Sequence, residues 1–388
     1  MKMPILHAEN KLGDYILDIA AGPFGSNLKV DCFVPFGVPI LDGANLKGIK
    51  VTDNVTKFVT EEKARSLHRS IAKRNDVIVT ISGNVGQISY IPQGSQYDEY
   101  LVSQRQFRVT FDERRVYVPY LVYYFHTPEG QHKILSFANQ TGVPALAQPL
   151  KNFKNINVSF PDLQTQRNIA FILESLDNKI ALNNSINHNL EEQAQALYKS
   201  WFVDFEPFKG NGFADSGLGL IPKGWEVIPL KQIVEYRKKS VNPQKSPDTW
   251  FSHYSLPAFD NSKKPEIQKG ADIMSNKLLL EGKTVLFSKL NPRIKRIWPI
   301  EVTTINSVCS TEFIAFKAKD EALHPFVWCY LNADSFYDKV MSGVNGATGS
   351  HQRFHADDTL DYVIPFNLDA AISFSDRIAP LLQSILKN

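Results

Sequence analysis

Cysteine is scarce in this chain. Three thiols, Cys32, Cys309 and Cys329, are scattered over 388 residues, too few and too far apart for disulfides to stand in for a hydrophobic core. No apolar run approaches the roughly 20 residues a bilayer crossing takes, and the opening MKMPILHAEN lacks a charged-then-apolar leader. Both absences predict a soluble, cytoplasmic protein with no membrane association. The chain has no GxxxxGK[ST] phosphate loop, which argues against ATP-driven work by this polypeptide. An excess of one charge sign is missing too. At a net charge of +3, any nucleic-acid surface has to come from local clustering.

Proline and glycine are absent between Asp162 and Glu206, and that stretch organises the rest. Apolar or small residues recur there at Ile169, Leu173, Leu176, Ile180, Leu190, Ala194, Leu197 and Trp201. The steps alternate four and three, the seam of a coiled coil. Asn183 and Asn187 fill the two remaining seam positions, where a buried amide costs stability but fixes register by requiring a polar partner. Asp162 is placed to cap the start and Pro207 to stop the end. At about 1.5 Å per residue, some 40 residues make a rod of about 60 Å. Such a rod needs a partner helix; a core helix of one globular domain runs nearer three turns.

Residues 1–160 read as a mixed domain. Runs at 76–81, 87–91 and 107–111 are β-branched or aromatic and bounded by Gly, Asn and Pro turns, which predicts strands. Helices are predicted over 61–73 and from Pro119 through 120–125. The class is α+β. Residues 207–224 hold five glycines in eighteen and read as a linker. A second globular stretch, 225–365, then repeats the first at an offset of roughly 205 residues, far beyond solenoid periods. Arg74-Asn75-Asp76-Val77-Ile78-Val79 answers Gly282-Lys283-Thr284-Val285-Leu286-Phe287, and Val118-Pro119-Tyr120-Leu121 answers His324-Pro325-Phe326-Val327. Asn155-Ile156-Asn157-Val158-Ser159-Phe160-Pro161 is echoed by Leu360-Asp361-Tyr362-Val363-Ile364-Pro365. After Pro365 a second helix is predicted, with Ile372, Ile378, Leu382 and Ile385 apolar, Pro380 as a kink, and only five or six turns.

Taken together, the chain resembles the specificity subunits of type I restriction-modification systems. The resemblance spans essentially the whole chain. It rests on the order and duplication of parts, on Val158-Ser159-Phe160-Pro161-Asp162-Leu163-Gln164-Thr165-Gln166 before the helix, and on the phrases Ile81-Ser82-Gly83-Asn84-Val85-Gly86 and Gln140-Thr141-Gly142-Val143-Pro144-Ala145-Leu146. Trp201-Phe202-Val203-Asp204-Phe205 is similar to the end of the family's central helix. The resemblance implies two similar globular target-recognition domains, 1–160 and 225–365. A long coiled-coil spacer helix, 161–206, and a linker, 207–224, separate them, and a second, shortened helix, 366–388, closes the chain. It further implies a subunit without catalysis of its own. Each domain would read half of a bipartite site in double-stranded DNA, two methyltransferase subunits would dock on the helices, and restriction subunits would complete the nuclease. No cofactor is implied on this chain; S-adenosylmethionine, ATP and Mg²⁺ belong to the partners. The chain departs from the family in its second helix, usually as long as the first.

DNA reading needs cations for phosphates and planar polar forks for base edges. Candidates in the first domain are Lys47, Lys50, Arg65, Arg69, Lys73 and Arg74, with Asn84 and Gln87 as amides suited to adenine. In the second they are Arg237, Lys238, Lys239, Lys263, Lys264, Arg293, Lys295, Arg296 and Arg353. A solvated charged surface accounts equally well for many of these singly. Tyr97, Tyr100, Trp250, Phe251 and Tyr254 suit thymine methyls or sugars, though aromatics near strands are more often core. On the helix, Gln166, Arg167, Glu191, Tyr198, Lys199 and Trp201 are candidates for gripping a methyltransferase subunit.

Rival chemistries leave traces. Asn291-Pro292-Arg293-Ile294 starts like the aromatic-Pro-Pro tetrapeptide of adenine methyltransferases and then departs from it. His351 and His355 have the i, i+4 spacing of a zinc helix but no intervening glutamate base. Pro247-Asp248 followed by Glu281-Gly282-Lys283 loosely resembles a metal-dependent nuclease, in which carboxylates hold Mg²⁺. The equivalent strand entrance in the first domain, Lys73-Arg74-Asn75-Asp76, has no such pair. A structural coiled-coil scaffold is the third alternative.

Overall fold

The computed structural model describes residues 9–139, 144–343 and 354–388, and the chain divides into two compact units, residues 1–179 and 180–388. Arg353 and His351, and most of the phrase at 140–146, lie outside the described residues.

The first unit is built on two small sheets. One has the order Ile16–Ala21, Gln106–Phe111, Val77–Thr80, Ile88–Tyr90, all antiparallel. The other runs Phe58–Val59, Val38–Leu41, Glu99–Val102, Ile71–Lys73, with Val38–Leu41 and Glu99–Val102 parallel. Val77–Thr80 is buried throughout, as the apolar run Val77-Ile78-Val79 between two partner strands must be. Helix Val118–His126 starts on Pro119, whose missing N–H costs nothing in a first turn. It covers this sheet through Phe125, which meets Phe153 and through it Phe107 at ring distances of 5.8 and 5.2 Å.

The helix predicted over 61–73 is shorter. Thr60 caps it by accepting from Lys63 N (3.1 Å), and it ends at Ser66. Ile71–Lys73 then join the sheet opposite Glu99, Tyr100 and Leu101. Burial of Ala72 and half of Ile71 against a waiting strand outweighs local helix propensity.

The second unit repeats this plan. Val234–Tyr236, Phe313–Ala318, Gly282–Ser288 and Ile297–Val302 form the four-stranded sheet. A five-stranded sheet has the order Ser240–Val241, Lys277–Leu279, Ser307–Cys309, Trp250–Tyr254, Glu266–Lys269, again with one parallel pair in the same place. The closing strands pair Asn10 with Val158 in one unit and Ile228 with Ile364 in the other. The helix caps then align Asp162 with Asn367, so Pro161 and Pro365, matched in the sequence comparison, are not equivalent.

Residues 207–224 are not an open linker. Phe213–Ser216 and Gly219–Pro222 pair as a hairpin whose turn uses Gly219 at φ +93°. Phe205 and Phe208 clamp the segment onto Trp225 at 5.3 and 5.0 Å.

The central helix is Leu163–Phe202, 40 residues, capped by Asp162, which accepts from Thr165 N (3.0 Å) and Thr165 Oγ1 (2.7 Å). The C-terminal helix, Leu368–Lys387, is half that length and continues through Pro380. Within the second unit the two helices pack together. Phe374 sits against Tyr198, Trp201 and Phe202 at 6.0, 5.7 and 5.1 Å. At the other end Asn388 Nδ2 donates to Asn187 Oδ1 (2.8 Å) and Asn183 Nδ2 donates to Asn388 O (3.4 Å). The two seam amides thus find a polar partner, the C-terminal residue. The predicted seam holds only in part. Ile169, Leu176, Ile180 and Leu197 are exposed, because the buried line runs by fours through Ala194, Tyr198 and Phe202.

Candidate nucleic-acid interface

In the first unit a cleft of about 420 Å³ is lined by Arg65, His68, Lys73, Arg74 and Arg108, with Asp76 and Glu99 among them. Its floor is a satisfied network. Arg108 donates through Nη2 to Asp18 (2.6 Å), through Nε to the Arg69 carbonyl (2.9 Å) and through Nη1 to Thr110 (3.3 Å). Thr110 Oγ1 in turn donates to Asp76 (2.6 Å). The Arg108 guanidinium holds the Asp18 carboxyl below the usual carboxylate range, while burial pushes Asp76 up. Three sequence-predicted cations ring the cleft in exposed ion pairs: Arg65 with Glu61 (3.9 Å), Lys73 with Glu99 (3.3 Å) and Arg74 with Asp98 (2.8 Å). Pairs of this kind hold little energy and yield readily to a phosphate. Arg69, exposed, lies one residue from His68. Lys47 and Asn84 are exposed elsewhere. Lys50 faces Glu174 (3.8 Å), and half-buried Gln87 accepts from Thr80 Oγ1 (3.4 Å).

The second unit spreads its candidates more widely. Lys238 pairs with Asp357 (3.4 Å) over the Tyr236 ring, and Arg237 faces Glu281 (3.7 Å) while its Nε is buried without a partner. Lys239, Lys264 and Arg293 are exposed. Lys263 stands over Phe259 and pairs with Glu191 (3.5 Å). Lys295 lies over Tyr337, 3.9 Å from Asp334, and burial lowers its pKa. Arg296 is a correction: both arms of its fork bind Asp260 (2.7 and 2.8 Å) and the side chain is largely buried, so it clamps helix Leu256–Ser262 instead of offering itself to DNA. Tyr100, Phe251 and Tyr254 are buried core. Tyr97 is half-buried, and Trp250 is 56% exposed beneath Lys269.

Two candidates on the helix are also turned inward. Gln166 is buried, accepting from Tyr117 N (2.8 Å) and donating to the Pro161 carbonyl (2.8 Å). Tyr198 is packed among Phe202, Phe326 and Phe374. Neither side chain is available for a grip. Arg167 lies exposed over Tyr117, Lys199 pairs with Asp204 (2.6 Å), and Trp201 is half-covered by Phe374 and Arg377.

Glu281, from the nuclease-like pattern, is the carboxylate that pairs with Arg237. Among the described residues no group of three or more His, Cys, Asp or Glu is placed to hold a metal ion, and no helix is long and apolar enough to cross a membrane.

The fold is a duplicated α+β unit, with cations gathered around a cleft in the first copy and spread more widely over the second. Residues 41–192 match the type I restriction modification DNA specificity domain. The MjaIX specificity subunit of Methanocaldococcus jannaschii is 25% identical over 348 residues, covering 85% of this chain and 76% of its own. The HindI specificity subunit of Haemophilus influenzae is 31% identical over 132 residues, 33% of this chain and 28% of its own. The crystal structure of a type I S subunit from M. genitalium shares the fold with a TM-score of 0.57 at 13% identity, over 99% of this chain and 91% of that one. Over residues 41–192 the chain thus matches that specificity domain, and over most of its length it is similar to type I restriction-modification specificity subunits.

Proposed function

We propose that residues 1–160 and 225–365 each read one half of a bipartite DNA site, and that the helices set the unread spacer and dock two methyltransferase subunits. The observation that carries this reading is the duplication: one backbone plan used twice, with unlike polar side chains mounted on it. Two readers of one design and different surface suit two short, different half-sites. A helix of about 60 Å corresponds to at most about 18 base pairs at roughly 3.4 Å per pair. Adenine methylation, with its S-adenosylmethionine, belongs to the partners, as do ATP, Mg²⁺ and cleavage by restriction subunits. The setting is the cytoplasm, where such a complex meets DNA. On the helix, Arg167, Glu191, Lys199 and Trp201 remain the candidates for docking.

The test is to map methylated adenines in cells with and without this chain, then exchange residues 225–365 for those of a relative. One half of the methylated site changes and the other persists; a change in both halves refutes the assignment.

A further inference from the structure

One turn is set by the same hydrogen bonds in both units. In the first, Ser103 N donates to Leu41 O (3.1 Å), Gln106 N to Ser103 O (3.1 Å) and Ile81 N to Arg105 O (2.7 Å). In the second, Ser310 N donates to Tyr254 O (3.0 Å), Phe313 N to Ser310 O (3.0 Å) and Lys289 N to Glu312 O (2.9 Å). Arg105 and Glu312 therefore hold the same backbone place, just before the strands Gln106–Phe111 and Phe313–Ala318. The place is common and the charge is reversed.

In the first unit the turn is rigid and other recognition groups crowd it. Buried Gln106 accepts through Oε1 from Ser103 N (3.3 Å) and Ser103 Oγ (3.2 Å). The loop after Ile16–Ala21 lies hard against it: a Cβ at Gly22 would stand 1.9 Å from the Ser103 carbonyl, and one at Gly25 2.6 Å from Gln104 Oε1. That loop carries Phe24, 82% exposed. A Cβ at Gly83 would lie 3.9 Å from Arg105 Nη1, which sets the guanidinium beside the turn bearing Asn84. Arg105 is exposed and, among the described residues, its side chain makes neither a hydrogen bond nor an ion pair, unlike those of Lys73 and Arg74. An unpaired planar fork on a locked turn suits base reading, because no ion pair has to break and the backbone beneath it is already ordered when it docks.

Resting on the reading that each unit takes one half-site, we propose that Arg105 is a specificity-determining residue of the first. Its fork donates to the N7 and O6 acceptors of a guanine in the major groove.

The test uses the chain assembled with its methyltransferase partner. Binding is measured by fluorescence anisotropy on a duplex carrying the mapped site and on every single-pair change of it. Wild type is compared with Arg105→Ala and Arg105→Lys. Arg105→Ala loses on the order of 10- to 100-fold of its preference at one G·C pair of one half-site and keeps the others. Arg105→Lys loses the same preference, since an ammonium cannot form both bonds of the fork. If Arg105→Ala weakens every duplex equally and Arg105→Lys restores binding, Arg105 is a phosphate contact and the inference is overturned. An unchanged preference in Arg105→Ala overturns it as well. A wild-type complex that reads one continuous site defeats the parent reading instead, a result visible before any variant is made.

Discussion

His324 stands where the first unit has Val118, each directly before the proline that opens a helix. It is 3% exposed, both ring nitrogens lack a partner among the described residues, and burial, with a smaller push from Lys283, lowers its pKa to about 4. An unfolded histidine takes up a proton as pH falls below about 6.5, and the buried one does so only near 4. Its neutral form therefore leaves stability intact above 6.5 and subtracts from it progressively down to about 4. Thermal melts at pH 7 and pH 5 are expected to differ by about 2 kcal/mol from this group, and His324→Val is expected to remove that share of the difference. Gln166 makes a second case. Its amide satisfies a backbone N–H at the base of helix Val118–His126, so Gln166→Ala is expected to destabilise the first unit by about 1–3 kcal/mol in denaturant unfolding. A partner-gripping role would leave stability untouched. Nothing in the local sequence separates this inward glutamine from exposed Gln164, two residues before it.

Among the elements, the central helix was the most legible. Freedom from proline and glycine, a capping aspartate and a stopping proline are local facts, and the observed ends lie within a few residues of those expected. The face it buries was not legible, because seam positions have meaning only relative to what lies opposite. In the second unit the opposing surface is the C-terminal helix with Phe374 at its centre, fully buried among Tyr198, Trp201, Phe202 and Phe326. Phe374→Ala is expected to cost about 3–5 kcal/mol, read as a lower melting temperature of the second unit. A variant that melted like wild type would show that the two helices do not depend on each other. The same dependence on neighbours defeated the helix expected over 61–73, where an incoming strand claimed Ile71 and Ala72.

For the whole chain the tests concern spacing. Asp177 accepts a hydrogen bond from Tyr123 (2.6 Å), and Asn183 reaches Asn388, so an insertion between them leaves both sets of contacts intact. Seven helical residues added after Ile180 lengthen the helix by about 10 Å, or about three base pairs. The methylated site is expected to keep both half-sites with a longer gap. An unchanged gap, by mapping of methylated adenines, would show that the helix does not set the spacer.

Duplication, the α+β class and the long helix were all written in residue order, since strand runs, turn residues and caps act over a few neighbours and recur wherever the same unit recurs. Which cations stand free was a different matter. Arg296 and Arg105 look alike in a string of letters, yet one is spent on Asp260 and the other has no partner among the described residues. Ion pairing and burial depend on residues tens of positions away, and folding brings those together.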